Sequence, residues 1–272
     1  VLAPPSSQAT ELDPEQARSL RNLAEKVFGI TWSGRVLAVS DRGFHILTDQ
    51  ATTLSYRPTG NAFFLHQSNA SLSHPAFEGS DSDYIERGKA VLAGLGIEAS
   101  EIAEAKLLQH FVQVGVVDTN GKDMRVDSPK KDRRTLLLTR AVRGIPVFNS
   151  RLIMDLDRKG HIASLEITWP NILPKVMEQV QVLQKAARGD FRAPEQKFAE
   201  LEAVEVGIVH SPAASFLDEQ TAAIRVIYRP KDPRLGKKAV AYLDAAGKPV
   251  TMPRTMVTRE APVPSRTSHP QQ

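Results

Sequence analysis

Near the middle of the chain, apolar and polar side chains alternate along three short runs that are separated by turns. The runs cover residues 136–142, 147–156 and 161–169. A period of two residues is typical of antiparallel strands that bury one face. The turn at 157–160 ends in Gly160, and glycine supplies the positive φ that a tight hairpin needs. The pattern predicts a block of three antiparallel strands.

The chain divides into three segments, and each begins with a helical pattern and continues with short strands. Segment 13–66 opens with Asp13 as an N-cap and Pro14 at the first helical position. Segment 82–170 opens with a second helix and ends with the three-strand block, and segment 175–257 repeats the order. The sequence therefore predicts an α+β fold of tandem small units, each a helix packed on an antiparallel β-meander.

The segments between and beyond these units carry less pattern. Residues 1–12 predict a flexible leader and residues 258–272 a disordered tail, because both are rich in Pro, Ser and other polar residues. The charged stretch 122–134 predicts an exposed hairpin or loop. Within the third unit, residues 180–187 fit a helix better than a strand, and residues 194–201 predict another short helix.

Composition indicates a folded protein but not its function. The chain has 272 residues, 41% of them apolar, and a net charge of +4 from 35 basic and 31 acidic side chains. This nearly balanced charge does not indicate a nucleic-acid partner, since such proteins concentrate basic residues on one face. There is no cysteine, which excludes disulfides and thiolate chemistry. The apolar runs are too short for an integral membrane segment.

One dense basic cluster stands out in this balanced background. It consists of Lys130, Lys131, Arg133 and Arg134, interrupted by Asp132. Such a cluster is typical of a solvated loop, and it also fits contact with a polyanion or with an acidic partner. The cluster is therefore a candidate for partner binding.

The beginning of the sequence suggests an exported protein. The chain starts with VLAPPSSQ rather than with Met, and no charged segment precedes an apolar one. We interpret Val1 as the mature end left after removal of a signal peptide, with a cloning boundary as the alternative. The expected location is therefore secreted or periplasmic.

Two segments resemble a known type of domain. In the first, a GIPV motif at 144–147 precedes an alternating strand, the turn at 157–160 and an apolar return strand, and the helix YIERGKAVLAGLGI comes before them. In the second, the residues IRVIYRPKDPRLGKKAVAYLDAAGKPV form a candidate final hairpin. Together these segments resemble the PepSY and propeptide type of domain, found in the pro-regions of thermolysin-like metalloproteases and in other bacterial exported proteins.

The resemblance implies a role without catalysis. It covers about residues 82–250, and no HExxH motif follows, so the chain would be a stand-alone PepSY-like protein rather than a pro-region attached to its enzyme. Members of this family have no catalytic residues to transfer. The implied role is to bind, inhibit or assist the folding of another exported protein, such as a protease.

A search for chemistry in the residues themselves finds no cofactor, metal or catalytic motif. The seven histidines show no ligand spacing, and no Gly-x-Ser-x-Gly, Walker A or dinucleotide-binding glycine pattern occurs. Three aromatic residues have two interpretations each. Trp32 and Trp169 lie near strand ends and fit either core packing or a binding platform. Phe64 follows Phe63 on a strand, so one of the two rings points away from the core of its sheet.

Two functional hypotheses follow from these observations. The leading one is a non-enzymatic exported protein that binds another protein through a sheet edge or face, with Trp32, Phe64, Trp169 and the basic cluster as candidate contacts. The alternative is a module that binds a small molecule or polysaccharide in a cleft between units. An enzyme with a dispersed site is a third, weaker option. The sequence does not predict an oligomeric state.

Overall fold

The computed structural model describes residues 9–68, 78–113, 115–117, 124–126, 128–189, 191–210, 219–232, 234 and 238–250. Within these ranges the α-helices are α1 (Pro14–Leu23), α2 (Asp81–Gly94) and α3 (Pro174–Arg188). A π-helical turn, Ala24–Phe28, continues α1, and a 3-10 turn, Ala99–Glu101, follows α2. None of the described helices is both long and apolar enough to cross a bilayer.

Strands make up most of the remaining described chain. In chain order they are β1 (Thr10–Glu11), β2 (Leu37–Asp41), β3 (Phe44–Thr48), β4 (Thr52–Arg57), β5 (Ala62–Gln67), β6 (Ile102–Val112), β7 (Gly115–Val117), β8 (Met124–Val126), β9 (Lys130–Val142), β10 (Ile145–Leu156), β11 (Ile162–Thr168), β12 (Ala199–His210), β13 (Gln220–Pro230) and β14 (Ala239–Leu243). Twelve of them form one mixed sheet, and β7 pairs with β8.

The large sheet joins all three predicted units. Its order is β1-β2-β3-β4-β5-β11-β10-β12-β13-β14, with β9 beside β10 and β6 beside β9. β5 pairs antiparallel with β11, and β10 pairs parallel with β12. The protein is α+β, but the predicted fold of tandem units, each a helix on its own antiparallel meander, is wrong.

The physical reason for this error is that strand edges attract partners. Hydrophobic periodicity predicts which face of a strand is buried, but it does not predict which strand lies beside it. An isolated meander would leave unpaired N–H and C=O groups on β5 and β11. Pairing of Ala62 with Thr168 through His66 with Ser164 satisfies those groups and fuses the two meanders.

The start of α1 follows the local prediction. The Asp13 carboxylate accepts hydrogen bonds from the backbone N–H groups of Glu15 (3.0 Å) and Gln16 (3.1 Å), and Pro14 is the first helical residue. Gly29 adopts φ 68° at the end of the π-helical turn, a conformation that glycine tolerates without strain. The predicted N-cap is confirmed.

The described residues form two hydrophobic cores, and the larger one lies between α1, α2 and one face of the sheet. Its buried members come from both of the first two predicted segments. They include Leu20, Phe28, Leu47, Leu54, Phe63, Leu65, Tyr84, Leu92, Leu136, Leu138, Leu152, Met154, Leu165, Ile167 and Trp169. Segments 13–66 and 82–170 therefore share one core rather than each having its own.

A second core lies between α3 and strands β12 to β14. Val176, Val180 and Leu183 of α3 pack against this part of the sheet, together with Ile224 and Val226 of β13. Val147 of β10 also belongs to this second core, so β10 contributes side chains to both cores.

Several local predictions can be compared with the described elements. The helix predicted at 180–187 is confirmed, and it begins earlier, at Pro174. The helix predicted at 194–201 is wrong, because Ala199 begins strand β12. Residues 1–8 of the predicted leader and the whole predicted tail, 258–272, lie outside the described residues, whereas Thr10–Glu11 pair with β2.

Candidate partner-binding surface

Eight neighbouring strands present a face that carries no described helix. α1 and α2 pack on one side of β2–β6 and β9–β11, and we call the other side the open face. Side chains that are directly paired across strands point to the same side. One row of the open face therefore runs through Lys106, Leu137, Ile153, Glu166, Phe64, Ser55, Ile46 and Val39.

A second, more polar row lies beside the first. It runs through Leu108, Thr135, Asp155, Ser164, His66, Thr53, Thr48 and Leu37. In its centre, the buried Asp155 carboxylate accepts hydrogen bonds from Thr135 Oγ1 (2.5 Å) and Ser164 Oγ (2.8 Å). Because both carboxylate oxygens have hydroxyl donors, this buried charge is compensated within the sheet.

β6 forms the border of the open face. Among the described residues it pairs with β9 alone, so its outer edge has no strand beside it. Two large apolar side chains of β6, Leu108 (48% exposed) and Phe111 (61% exposed), lie on or next to the open face. Bulges near each end of the strand leave a regular run from Glu104 to Gln109 between them.

The predicted basic cluster lies in strand β9, so the interpretation of its residues as a solvated loop is wrong. Their antiparallel pairing with β6 agrees with the hairpin alternative that was predicted for 122–134. β9 pairs with β10 only from Thr135 onward, so residues 130–134 have β6 as their one described neighbour. We call this two-stranded extension of β6 and β9 the arm. Lys130 and Lys131 are exposed on the arm, beside Phe111.

The two arginines of the cluster are less accessible. Arg134 donates to the Gly79 carbonyl oxygen (2.9 Å), pairs with Asp81 and lies 4.7 Å from the Tyr84 ring centroid. It therefore ties the arm to the start of α2. Arg133 is half-buried, and its Nε has no hydrogen-bond partner among the described residues.

The three candidate aromatic residues do not form one site. Trp169 is buried in the larger core, where its Nε1 donates to Glu101 Oε2 (2.9 Å). Arg140 shares that acceptor at 2.8 Å and lies 5.3 Å from the Trp169 ring centroid. Trp32 is half-buried against the same core. Phe64 alone lies on the open face, with its ring centroid 6.3 Å from that of Phe44.

The structure thus brings Phe64, Lys130 and Lys131 to the open face and the arm, and it adds two residues that sequence reasoning missed. Leu108 and Phe111 lie in the apolar stretch 105–117, so their apolar character was visible in the sequence. Their exposure was not visible, because it depends on β6 being an edge strand.

The described residues contain no group of three or more His, Asp or Glu side chains arranged to hold a metal ion. No family model matches the sequence, and no curated protein matches it. Among solved structures, the fold is similar to that of an uncharacterized protein from Eubacterium rectale, whose crystal structure was determined at 1.45 Å. That alignment has 13% identity and a TM-score of 0.46, and it covers 88% of this chain and 82% of that one.

Proposed function

We propose that this chain is a non-enzymatic, PepSY-like exported protein that binds an extended segment of another exported protein along β6. The observation that carries the proposal is the edge strand itself. β6 spans Ile102–Val112 without a described neighbour on its outer side, and it carries two exposed apolar side chains. Unpaired strand edges accept an added strand through main-chain hydrogen bonds.

The bulges and the lysine of β6 favour pairing with a short segment of a partner over continuous strand-by-strand aggregation. The regular run from Glu104 to Gln109 is bounded by bulges, and Lys106 stands in its middle, paired with Glu104 at 2.8 Å. Bulges and lysines are the usual features that keep edge strands from pairing indiscriminately. A bound segment would therefore pair with about six residues of β6.

Side chains around the edge indicate the chemistry of that segment. Leu108 and Phe111 favour a partner with apolar residues at alternate positions, because these side chains are accessible to a strand lying beside β6. Lys130 and Lys131 on the arm favour acidic residues near one end of it. If β6 binds an extended segment of a protease or of another exported protein, it would hold that protein in an inhibited or partly folded state.

The test is affinity capture from the culture medium and envelope fraction of the source organism, followed by mass spectrometry. The wild-type protein is compared with the double variant Leu108→Asp/Phe111→Asp. We expect one stoichiometric partner with the wild type and a loss of about tenfold or more with the double variant, because removal of central apolar contacts commonly costs about 2 kcal/mol.

Val182→Asp is the matched control, since Val182 is 66% exposed on α3, outside β6 and the open face. It should capture as much partner as the wild type. A photo-crosslinking residue at position 108 should label one extended stretch of the partner, and the same residue at position 182 should label none. Equal recovery by all three proteins, or equal labelling from both positions, would refute binding along β6.

A further inference from the structure

A cavity of about 710 Å³ lies on the helix side of the sheet, away from the open face. Its walls are the first turns of α1 and the ends of β3, β4 and β5, and the end of α2 closes one side. The side chains that matter for its chemistry are Glu15, Ser19, Leu20, His45, Tyr56 and Phe63. Its volume lies within the range of about 300–1,000 Å³ that small-molecule sites commonly have.

The cavity exists because α1 changes character along its length. Leu20 continues into the larger core, but the preceding positions that line the cavity are Glu15, Gln16 and Ser19, all of them polar. A well-packed helix would place large apolar side chains there. The Asp13 cap and the pairing of β1 with β2 hold the start of the helix beside this gap.

One wall of the cavity is the outer end of a row of aromatic rings. Phe28 and Phe63 meet edge to face at 5.6 Å, and Phe63 stacks on Tyr56 at 4.4 Å between centroids. His45 follows, 6.1 Å from Tyr56. The first two rings are buried in the core, whereas Tyr56 and His45 are half-buried and line the cavity. The wall is therefore already formed without a ligand, and preorganisation of this kind lowers the entropic cost of binding.

The lining carries one formal charge, and it is negative. Among the described residues that line the cavity, Glu15 is the one Asp, Glu, Lys or Arg. Burial lowers the pKa of His45, which favours the neutral imidazole at pH 7, and burial raises the pKa of Tyr56, which keeps its hydroxyl protonated. Glu15 is exposed and therefore lies at the rim of the cavity. A carboxylate at the rim of an aromatic-walled cavity attracts an organic cation.

We propose that this cavity binds a small amine that bears an aromatic ring, with the ring against Tyr56 and Leu20 and the ammonium group at Glu15. The neutral hydroxyl, imidazole and amide groups of the lining would orient the ligand through hydrogen bonds. This site is separate from β6, so it stands or falls independently of partner binding.

Phenethylamine is the probe, and phenylacetate, which has the same ring but a negative charge, is its counterpart. Titration calorimetry and protein-observed NMR on the full chain measure both. We expect phenethylamine to bind with a Kd of about 1 mM or below and to shift the His45 ring resonances. Phenylacetate should bind at least about tenfold more weakly, because its carboxylate would lie near Glu15.

Two variants locate the binding in the cavity. Ser19→Leu fills the gap and should abolish binding, and Glu15→Gln keeps the shape but should weaken binding about tenfold. Glu25→Gln removes the same charge from a position in the π-helical turn outside the lining, and it should leave the Kd unchanged. Equal affinity for the two probes, or a Kd insensitive to both Ser19→Leu and Glu15→Gln, would overturn the proposal. The proposal would also be overturned if phenethylamine showed no saturable binding up to about 20 mM.

Discussion

Asp49 connects two parts of the chain through one carboxylate. It lies between β3 and β4, where its Oδ1 accepts hydrogen bonds from the N–H groups of Ala51 (2.8 Å) and Thr52 (2.6 Å). Its Oδ2 accepts from Ser33, through the backbone N–H (2.6 Å) and the hydroxyl (3.0 Å). Partial burial raises the pKa of Asp49, but these hydrogen bonds outweigh that effect and hold its pKa below the ordinary value of an aspartate.

The lowered pKa predicts how the substitution Asp49→Asn depends on pH. The charged form is stabilised by folding, so its contribution is complete above about pH 4 and is lost as the pH falls through the lower folded pKa. An amide offers one acceptor oxygen instead of two. Asp49→Asn should therefore reduce the free energy of unfolding by about 1–2 kcal/mol at pH 7. Urea denaturation at pH 7 and near pH 2 measures the effect.

Towards pH 2 the difference between the two proteins should shrink, because the stability that the ionised carboxylate contributes is lost as the pH falls. Glu178→Gln, an exposed position on α3, is the control and should change stability by less than about 0.5 kcal/mol at either pH. A difference between wild type and Asp49→Asn that is as large at pH 2 as at pH 7 would contradict this account of the carboxylate.

At the scale of elements, the contact between α2 and the sheet depends on Gly88. A Cβ atom on this residue would lie 2.4 Å from Leu136 Cδ2 and 3.1 Å from Leu138 Cδ1. Both leucines are completely buried. The helix therefore approaches β9 more closely than a side chain at position 88 would allow, even though glycine weakens a helix interior.

Gly88→Ala should consequently destabilise the protein. Alanine gains about 1 kcal/mol in helix propensity, but overpacking against two buried leucines typically costs about 1–3 kcal/mol, so a net loss is expected. Gly34→Ala is the control, because no atom lies within 4 Å of a Cβ at that position. Thermal unfolding followed by circular dichroism compares the two. A melting temperature for Gly88→Ala at or above that of the wild type would show that α2 can shift to accept the methyl group.

Gly88 also illustrates what the sequence could and could not predict about the elements. A helix at the start of segment 82–170 was predicted, because its apolar period is a local feature, and α2 is there. The close approach that requires glycine is a tertiary contact with β9, which no local pattern encodes. The wrong helix at 194–201 has a similar cause, since Ala199 onward is held as a strand by pairing with β13.

For the candidate surface, too, the sequence predicted the features that depend on local pattern and missed those that depend on tertiary contacts. The sequence indicated that one of the adjacent rings Phe63 and Phe64 points away from the core, because neighbouring side chains on a strand face opposite sides. The structure assigns that position to Phe64, since Phe63 lies in the larger core. It also identified Lys130 and Lys131 as a dense basic cluster. It could not identify β6 as an edge strand or the open face as free of described helices, because both depend on the order of strands in the sheet. Leu108 and Phe111 therefore became candidates only through the structure.

At the scale of the whole molecule, the first two predicted units depend on each other. The larger core joins Leu47, Leu54 and Phe63 of the first segment to Leu152 and Ile167 of the second. β5 and β11 also share a continuous hydrogen-bonded ladder. Each buried leucine or isoleucine contributes about 1.5–3 kcal/mol, which is comparable with a sizeable part of the net stability of a domain.

Residues 9–68 should therefore fail to fold when they are produced alone, although they contain α1 and β1 to β5. The fragment would expose the edge of β5 and the apolar side chains that Leu152 and Ile167 cover in the full chain. Circular dichroism during urea titration should show no cooperative transition for the fragment and a steep one for residues 9–250. A sigmoidal transition in the fragment, with dispersed NMR resonances, would mean that α1 and its meander form an independent unit after all.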